Sequence, residues 1–230
     1  TFATGWAAYE AAQDVKRQVI ERAAKIWGVE PDSVDMEDGI IRSKTDTELN
    51  MTFKQLSEQI NDTGGPIVGR AAVDPAGAGG SYCGQIVDIE VDPETGKTDV
   101  LRFTTVQDAG KAIHPSYVEG QMQGGAVQGI GWALNEEYYM SDDGAMQNTS
   151  LLDYRMPTAL DLPMIDTVIV EVANPQHPYG VRGVAEVSLV PPLAAVANAV
   201  YDAIGVRMYS LPMKPAAVVK AIHEKNGTLR

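Results

Sequence analysis

Residues 82–102 read YCGQIVDIEVDPETGKTDVLR, and this stretch sets the fold class. Two runs rich in Val, Ile and Thr flank Pro93-Glu94-Thr95-Gly96, whose residues carry turn chemistry, so the stretch predicts an antiparallel hairpin. Ile86, Asp88 and Glu90 alternate imperfectly against Val87, Ile89 and Val91, which suits a sheet covered on one face by helices.

Helical patterns lie on both sides of the hairpin. Downstream, a helix is expected from near Ser116 through VEGQMQGGAVQGIGWALNEEYY, ending at Tyr139. Gly120, Gly124, Gly125, Gly129 and Gly131 make it a costly helix, tolerable where missing side chains let a backbone or a flat ligand approach closely. Gln121, expected in its first or second turn, offers donors and an acceptor near amides that favour an anion. A tight helix crossing with surface glutamines explains the same pattern. Further on, DTVIVEVA (166–173) and VRMYSL (206–211) read as strands, and a last helix starts at Lys214-Pro215 and ends at Gly227.

Upstream, DPAGAGGSY (74–82) reads as a loop. Residues 2–28, FATGWAAYEAAQDVKRQVIERAAKIWG, read as an amphipathic helix through Ala8, Ala12, Val15, Val19, Ala23 and Ile26, stopped by Gly28. Its charged residues Asp14, Lys16, Arg17, Glu21, Arg22 and Lys25 read as a solvated face. A hairpin turns at Asp38-Gly39, and Thr52 or Asn50 caps a helix through FKQLSEQI. Helices mixed with hairpin-paired strands make the class α+β, with mixed hairpin-containing sheets and packed helices, in one domain or two packed lobes.

Residues 177–200, HPYGVRGVAEVSLVPPLAAVANAV, place Glu186 between a glycine-marked loop and a helix that begins at Pro191-Pro192. Gly180 and Gly183 let the backbone bend there. A carboxylate on such a turn, framed by apolar residues, suits a general base. A glutamate that caps the helix or pairs with Arg182 is the plainer reading, since acids are common at helix entries.

The net charge of −13 argues against nucleic acid or an anionic membrane as partner. Apolar runs are broken well short of a spanning helix, and cytoplasmic location is the default expectation. Cys83, the single cysteine, excludes an intramolecular disulfide or a protein-held iron–sulfur cluster, and its strand suggests a buried thiol. His114, His177 and His223 lie far apart, so no protein metal site is expected. The chain begins at Thr1, which suggests processing, splitting or excision from a longer chain.

Three stretches carry a resemblance, in order: residues 82–102, DAGKAIHPSYVEGQMQGGAVQGIGWALNEE (108–137) and GVRGVAEVSLVPPLAAVANAVYDAIGVRMYSLP (180–212). Together they resemble the molybdopterin-binding large subunits of the xanthine dehydrogenase family, which includes xanthine and aldehyde oxidoreductases and aerobic carbon monoxide dehydrogenases. The match covers nearly the whole chain and is weakest between Val29 and Ala76. It implies that residues 1–230 are the C-terminal molybdopterin-binding domain, with the N-terminal part of the large subunit absent.

The resemblance implies oxidation of an aldehyde, an N-heterocycle or a similar small substrate, with water as oxygen source. Glu186 is then the general base that takes a proton from the oxygen nucleophile. Gln121, Gly120, Gly183 and Thr1 are the implied cofactor contacts. Molybdenum is held in this family by a pterin, whose nucleotide form stays open, a cytosine dinucleotide among the forms allowed. Iron–sulfur centres and FAD are expected on partner subunits, and the remainder of the molybdenum subunit is itself an expected partner. Alone, the chain should hold cofactor poorly. It departs from the family at His114 before Pro115, at Ala185, and at Val187-Ser188, which favours a generic hydroxylase over a purine oxidiser. The rival class is a non-catalytic structural or assembly module, or an isolated fragment; retention of both Glu186 and Gln121 speaks against it.

Overall fold

The computed structural model describes residues 2–227 apart from Ala76 and Ala78. The chain divides into two compact units, residues 1–77 and 78–230.

In the first unit, helix α1 (Phe2–Trp27) ends where Gly28 takes a left-handed conformation, φ 68°. It packs over an antiparallel sheet of β1 (Val34–Glu37), β2 (Ile40–Ser43) and β3 (Asn50–Thr52), in that order. Val19, Ala23 and Ala24 of the helix meet Val34, Ile41, Met51 and Leu56 in the core. Asp38 and Gly39 both have positive φ, so the β1–β2 turn is the type the Asp-Gly pair predicts. Thr52 caps α2 (Phe53–Glu58) in a reciprocal box with Gln55, and α3 (Ile60–Thr63) follows. Thr52→Ala should therefore lower stability by about 1 kcal/mol, measurable by urea unfolding of the chain. Two expectations for α1 fail. Ala8 and Ala12 are exposed, and the buried stripe keeps only the later positions. Asp14 and Arg22 are not merely solvated: Asp14 accepts from the Arg70 amide, which holds its carboxyl below the usual range, and Arg22 Nη1 is buried.

The second unit is built on the hairpin of β4 (Cys83–Val91) and β5 (Thr98–Asp108), to which β6 (Ile165–Val170) adds in parallel beside β5. One face is covered by α4 (Pro115–Leu134), α5 (Pro191–Ile204) and α6 (Pro215–Lys225). Phe103, Ile130, Val196, Val200, Met213 and Val218 form the centre of that core. Pairing slips by one residue after Asp88, whose partner is Arg102 while Ile89 pairs with Val100. The extra residue brings both Val100 and Phe103 to the inner face. That inner face changes character along its length. Ile89, Val91, Val100 and Phe103 occupy one end, while Gln85, Thr105 and Gln107 occupy the other.

Several boundaries differ from the sequence reading. Helix α4 stops at Leu134, not Tyr139, because the chain folds back over Gly131, whose carbonyl takes both the Asn135 and Glu136 amides. Residues 206–211 form no strand; they lead to Met213, whose amide donates to Ala133 O and joins the segment to α4. In the tract at 147–150, Asn148 is buried and ties Tyr139 N and Glu137 O together. Cys83 is half-buried, 3.5 Å from Thr105 Oγ1. Among the described residues, no helix is long and apolar enough to cross a membrane.

Candidate functional site

The segment before α5 is held from several sides. Gly110 and Gly180, both left-handed, let the 109–111 turn meet the 180–182 strand-like segment, where Gly180 O accepts from Lys111 N at 2.8 Å. A Cβ on Gly110 would stand 2.4 Å from Gly180 O, so only glycine fits this crossing. Glu171 fixes the same turn by accepting from Ala112 N at 2.8 Å and from Lys111 Nζ at 3.0 Å. Those partners, the amide first, hold its carboxyl below the usual carboxylate range.

Arg182 is bound through both Nε and Nη1. Its Nε lies 3.2 Å from Asp108 Oδ2, both side chains being largely buried, and its Nη1 donates to Gly80 O at 2.5 Å. Asp108 Oδ1 accepts from the amides of Gly110 and Val172. The expected pairing of Arg182 with Glu186 is thus overturned: Arg182 is spent on locking the loop base. Helix capping by Glu186 fails as well, because Val190 occupies the cap position of α5 without a side-chain bond.

Glu186 itself stands on the turn of residues 185–189 and is exposed. Among the described residues its carboxylate has no hydrogen-bond or ion-pair partner. Its exposure means that the described residues do not enclose it in the expected apolar frame. Ala185 has no positive φ, so the methyl group replacing the family's glycine is accommodated.

Beneath the turn, its backbone is bound on both sides of Glu186. Gln107 Nε2 donates to Val184 O at 2.9 Å, and Gln85 Nε2 donates to Ser188 O at 2.8 Å. The fully buried Ser188 places Oγ 3.1 Å from Ala185 O and 3.3 Å from Gln121 O. That hydroxyl brings α4 and the Glu186 turn together, so the two stretches singled out in the sequence share one site.

The glycines of α4 divide into two faces. A Cβ on Gly125 would fall 2.1 Å from Ser188 Oγ, and one on Gly129 would fall 2.5 Å from Pro192 Cγ. These two let the turn and the start of α5 lie directly on the helix. Gly120 and Gly124 have nothing within 4 Å and share the exposed side with Gln121 and Gln128. Gly129→Ala should cost about 1–3 kcal/mol in overpacking, against about 1 kcal/mol gained in helix propensity. Gly124→Ala should gain up to about 1 kcal/mol, so opposite shifts in the unfolding midpoint of the chain are expected.

Gln121 lies six residues past Pro115, beyond the free amides of the first turn, so the helix-end argument for an anion does not reach it. Gly183, like Gly120, faces open space. Thr1 lies outside the described residues. His114 stacks on Tyr117 at 4.0 Å and lies 3.2 Å from Ser116 Oγ, a local role. Sequence reading missed Gln85, Gln107 and Ser188. For the two glutamines the signal was a carboxamide at an inward position of each hairpin strand; for Ser188 there was none. Neither a cavity of about 540 Å³ near Asp14 and Arg70 nor one of about 510 Å³ near Tyr139 and Lys214 includes Glu186 or Gln121. The face bearing Glu186 is open.

Known proteins resemble this chain along most of its length. The molybdopterin cofactor-binding domain family matches residues 1–163. The 6-hydroxypseudooxynicotine dehydrogenase complex subunit gamma of Paenarthrobacter nicotinovorans is 34% identical over 95% of this chain and 29% of its own length. A putative xanthine dehydrogenase molybdenum-binding subunit of Escherichia coli K12 is 40% identical over 60% of this chain and 18% of its own. The crystal structure of quinoline 2-oxidoreductase from Pseudomonas putida 86 superposes with TM-score 0.79 at 30% identity, over 93% of this chain and 28% of that one. The chain spans less than a third of the length of each of these relatives.

Proposed function

This chain belongs to the molybdopterin cofactor-binding domain family of the molybdenum hydroxylases, and from that premise we propose that it serves as the C-terminal cofactor-binding domain of a hydroxylase large subunit, with Glu186 as general base. One observation carries the reading. A carboxylate sits on a turn bound by β4, β5 and α4, yet its own oxygens are exposed and without a partner among the described residues. A structural glutamate has no reason to be so firmly placed and so unengaged.

The residues fit the group. Gly120 and Gly124 leave a strip of α4 with no atom where a Cβ would reach, as a flat pterin requires, and Gln121 beside them carries both donors and an acceptor. Gly183 gives the same clearance before the Glu186 turn. Thr1 stays in the proposal on the resemblance alone. When bound, the molybdenum–pterin group supplies the two-electron oxidant and the polarisation that makes water a nucleophile at neutral pH. Glu186 then removes the proton of that water, at a carboxylate oxygen free to accept it. Gln121 orients the pterin edge, and the open glycine strip sets how closely the helix approaches.

The small substrate is an aldehyde or an N-heterocycle, the second in keeping with the xanthine and quinoline that two relatives' names give for those proteins. The rest of the large subunit, and partners bearing iron–sulfur centres and FAD, complete the assembly. The nucleotide form of the pterin stays open, a cytosine dinucleotide among the forms allowed, and the cytoplasm is the compartment. The test is to express the chain alone and in its complete subunit and to measure bound molybdenum in each. Near-stoichiometric metal only in the complete subunit supports the reading, and none in either would sink it.

A further inference from the structure

We propose that Gln85 and Gln107 are positioning residues for Glu186, a pair of buried carboxamides that fix the catalytic carboxylate by holding the backbone on both sides of it. The proposal rests on the reading of Glu186 as the base.

The two glutamines come from adjacent antiparallel strands. Gln85 is paired across with Thr105, and Gln107 with Cys83, so they are diagonal neighbours on the same inward face. Gln107 donates to Val184 O, two residues before Glu186, and Gln85 donates to Ser188 O, two residues after it. Between these points lies the whole turn. Gln85 Nε2 also lies 3.2 Å from Thr105 Oγ1, so its amide group is held in one orientation. Gln107 is fully buried, as is Thr105.

Each carboxamide spends its donor on the turn and leaves its Oε1 buried without a partner among the described residues. An unpaired buried acceptor opposes folding. Val or Ile at these strand positions would avoid that penalty and continue the apolar face already formed by Ile89, Val91 and Phe103. Keeping two glutamines at the end of the sheet under the Glu186 turn is therefore accounted for by what their amide groups hold. A carbonyl grip tethers the turn's backbone while leaving the Glu186 side chain unencumbered. A bond to the carboxylate itself would compete with proton acceptance.

The experiment uses the complete holoenzyme with Gln107→Met and, separately, Gln85→Met. Methionine keeps the length and removes the donor. Gln85 is less buried, so its variant stands in if Gln107→Met does not fold. Three quantities are read: amide hydrogen exchange at residues 184–189, kcat and KM, and molybdenum content. Expected are faster exchange confined to that turn, a kcat lower by about 10- to 100-fold, and KM and metal content unchanged. In a Glu186→Gln background the same substitutions should bring no further loss of rate, because they act through that carboxylate.

Unchanged exchange at 184–189 would overturn the proposal, as would faster exchange with normal kcat, which reduces the clamp to a structural device. The two readings fail separately. Full turnover in Glu186→Gln alone removes the base, whereas normal turnover in both methionine variants beside an inactive Glu186→Gln removes only the clamp.

Discussion

Replacing Glu186 with Gln in the complete enzyme should lower kcat by about two to four orders of magnitude while molybdenum content stays at the wild-type level. The substitution is nearly isosteric and removes only the capacity to take up a proton. In many enzymes such a loss is hard to separate from damage to the fold. Here the separation is unusually clean, because the Glu186 carboxylate has no hydrogen bond or ion pair to lose among the described residues. An exposed side chain of this kind contributes within about 0.5 kcal/mol to stability. The unfolding midpoint should therefore be unchanged, and the backbone bonds from Gln85, Gln107 and Ser188 do not involve the altered group. Glu186→Asp should lie between, since it keeps the base and withdraws it by one methylene from a turn that cannot follow. If Glu186→Gln turns over at the wild-type rate, the general base is elsewhere and the proposed function loses its central residue.

Local features of the fold were legible because local residues cause them. Asp38-Gly39 dictates its turn, Thr52 with Gln55 dictates a helix start, and Pro191 opens α5. What escaped were outcomes decided by distant partners. Nothing in VRMYSL reveals that no sheet edge receives it, so β-branched and aromatic residues there became an extended connector to Met213. The parallel addition of β6 beside β5 joins segments more than fifty residues apart, and no turn signal reports it. Arg182 illustrates the same limit at the site. Its nearness in sequence to Glu186 suggested a pair, but the partly buried Asp108 claims it instead. The α4 glycines were recognised as unusual, yet their spacing could not tell which face meets protein. The structure assigns Gly125 and Gly129 to the turn and α5, and leaves Gly120 and Gly124 open.

That division yields the second large effect. Gly120→Leu should leave the isolated chain as stable as wild type or up to about 1 kcal/mol more stable, because leucine favours a helix and its Cβ meets no atom within 4 Å on this exposed face. In the complete subunit the same change should weaken binding of the molybdenum–pterin group about 5- to 150-fold, read as a lower molybdenum and pterin content. A side chain driven into a close contact costs about 1–3 kcal/mol, and each 1.4 kcal/mol is a factor of ten. The two measurements oppose each other only if something absent from this chain lies against the open strip. A merely unused glycine would show the gain in stability without the loss of cofactor. A glycine kept for packing within the chain, as at Gly129, would show the loss of stability first. Protein melting and metal content on the same preparations therefore distinguish three roles for one residue. Unchanged occupancy in Gly120→Leu would move the cofactor off this face of α4 and leave Gln121 without its proposed contact.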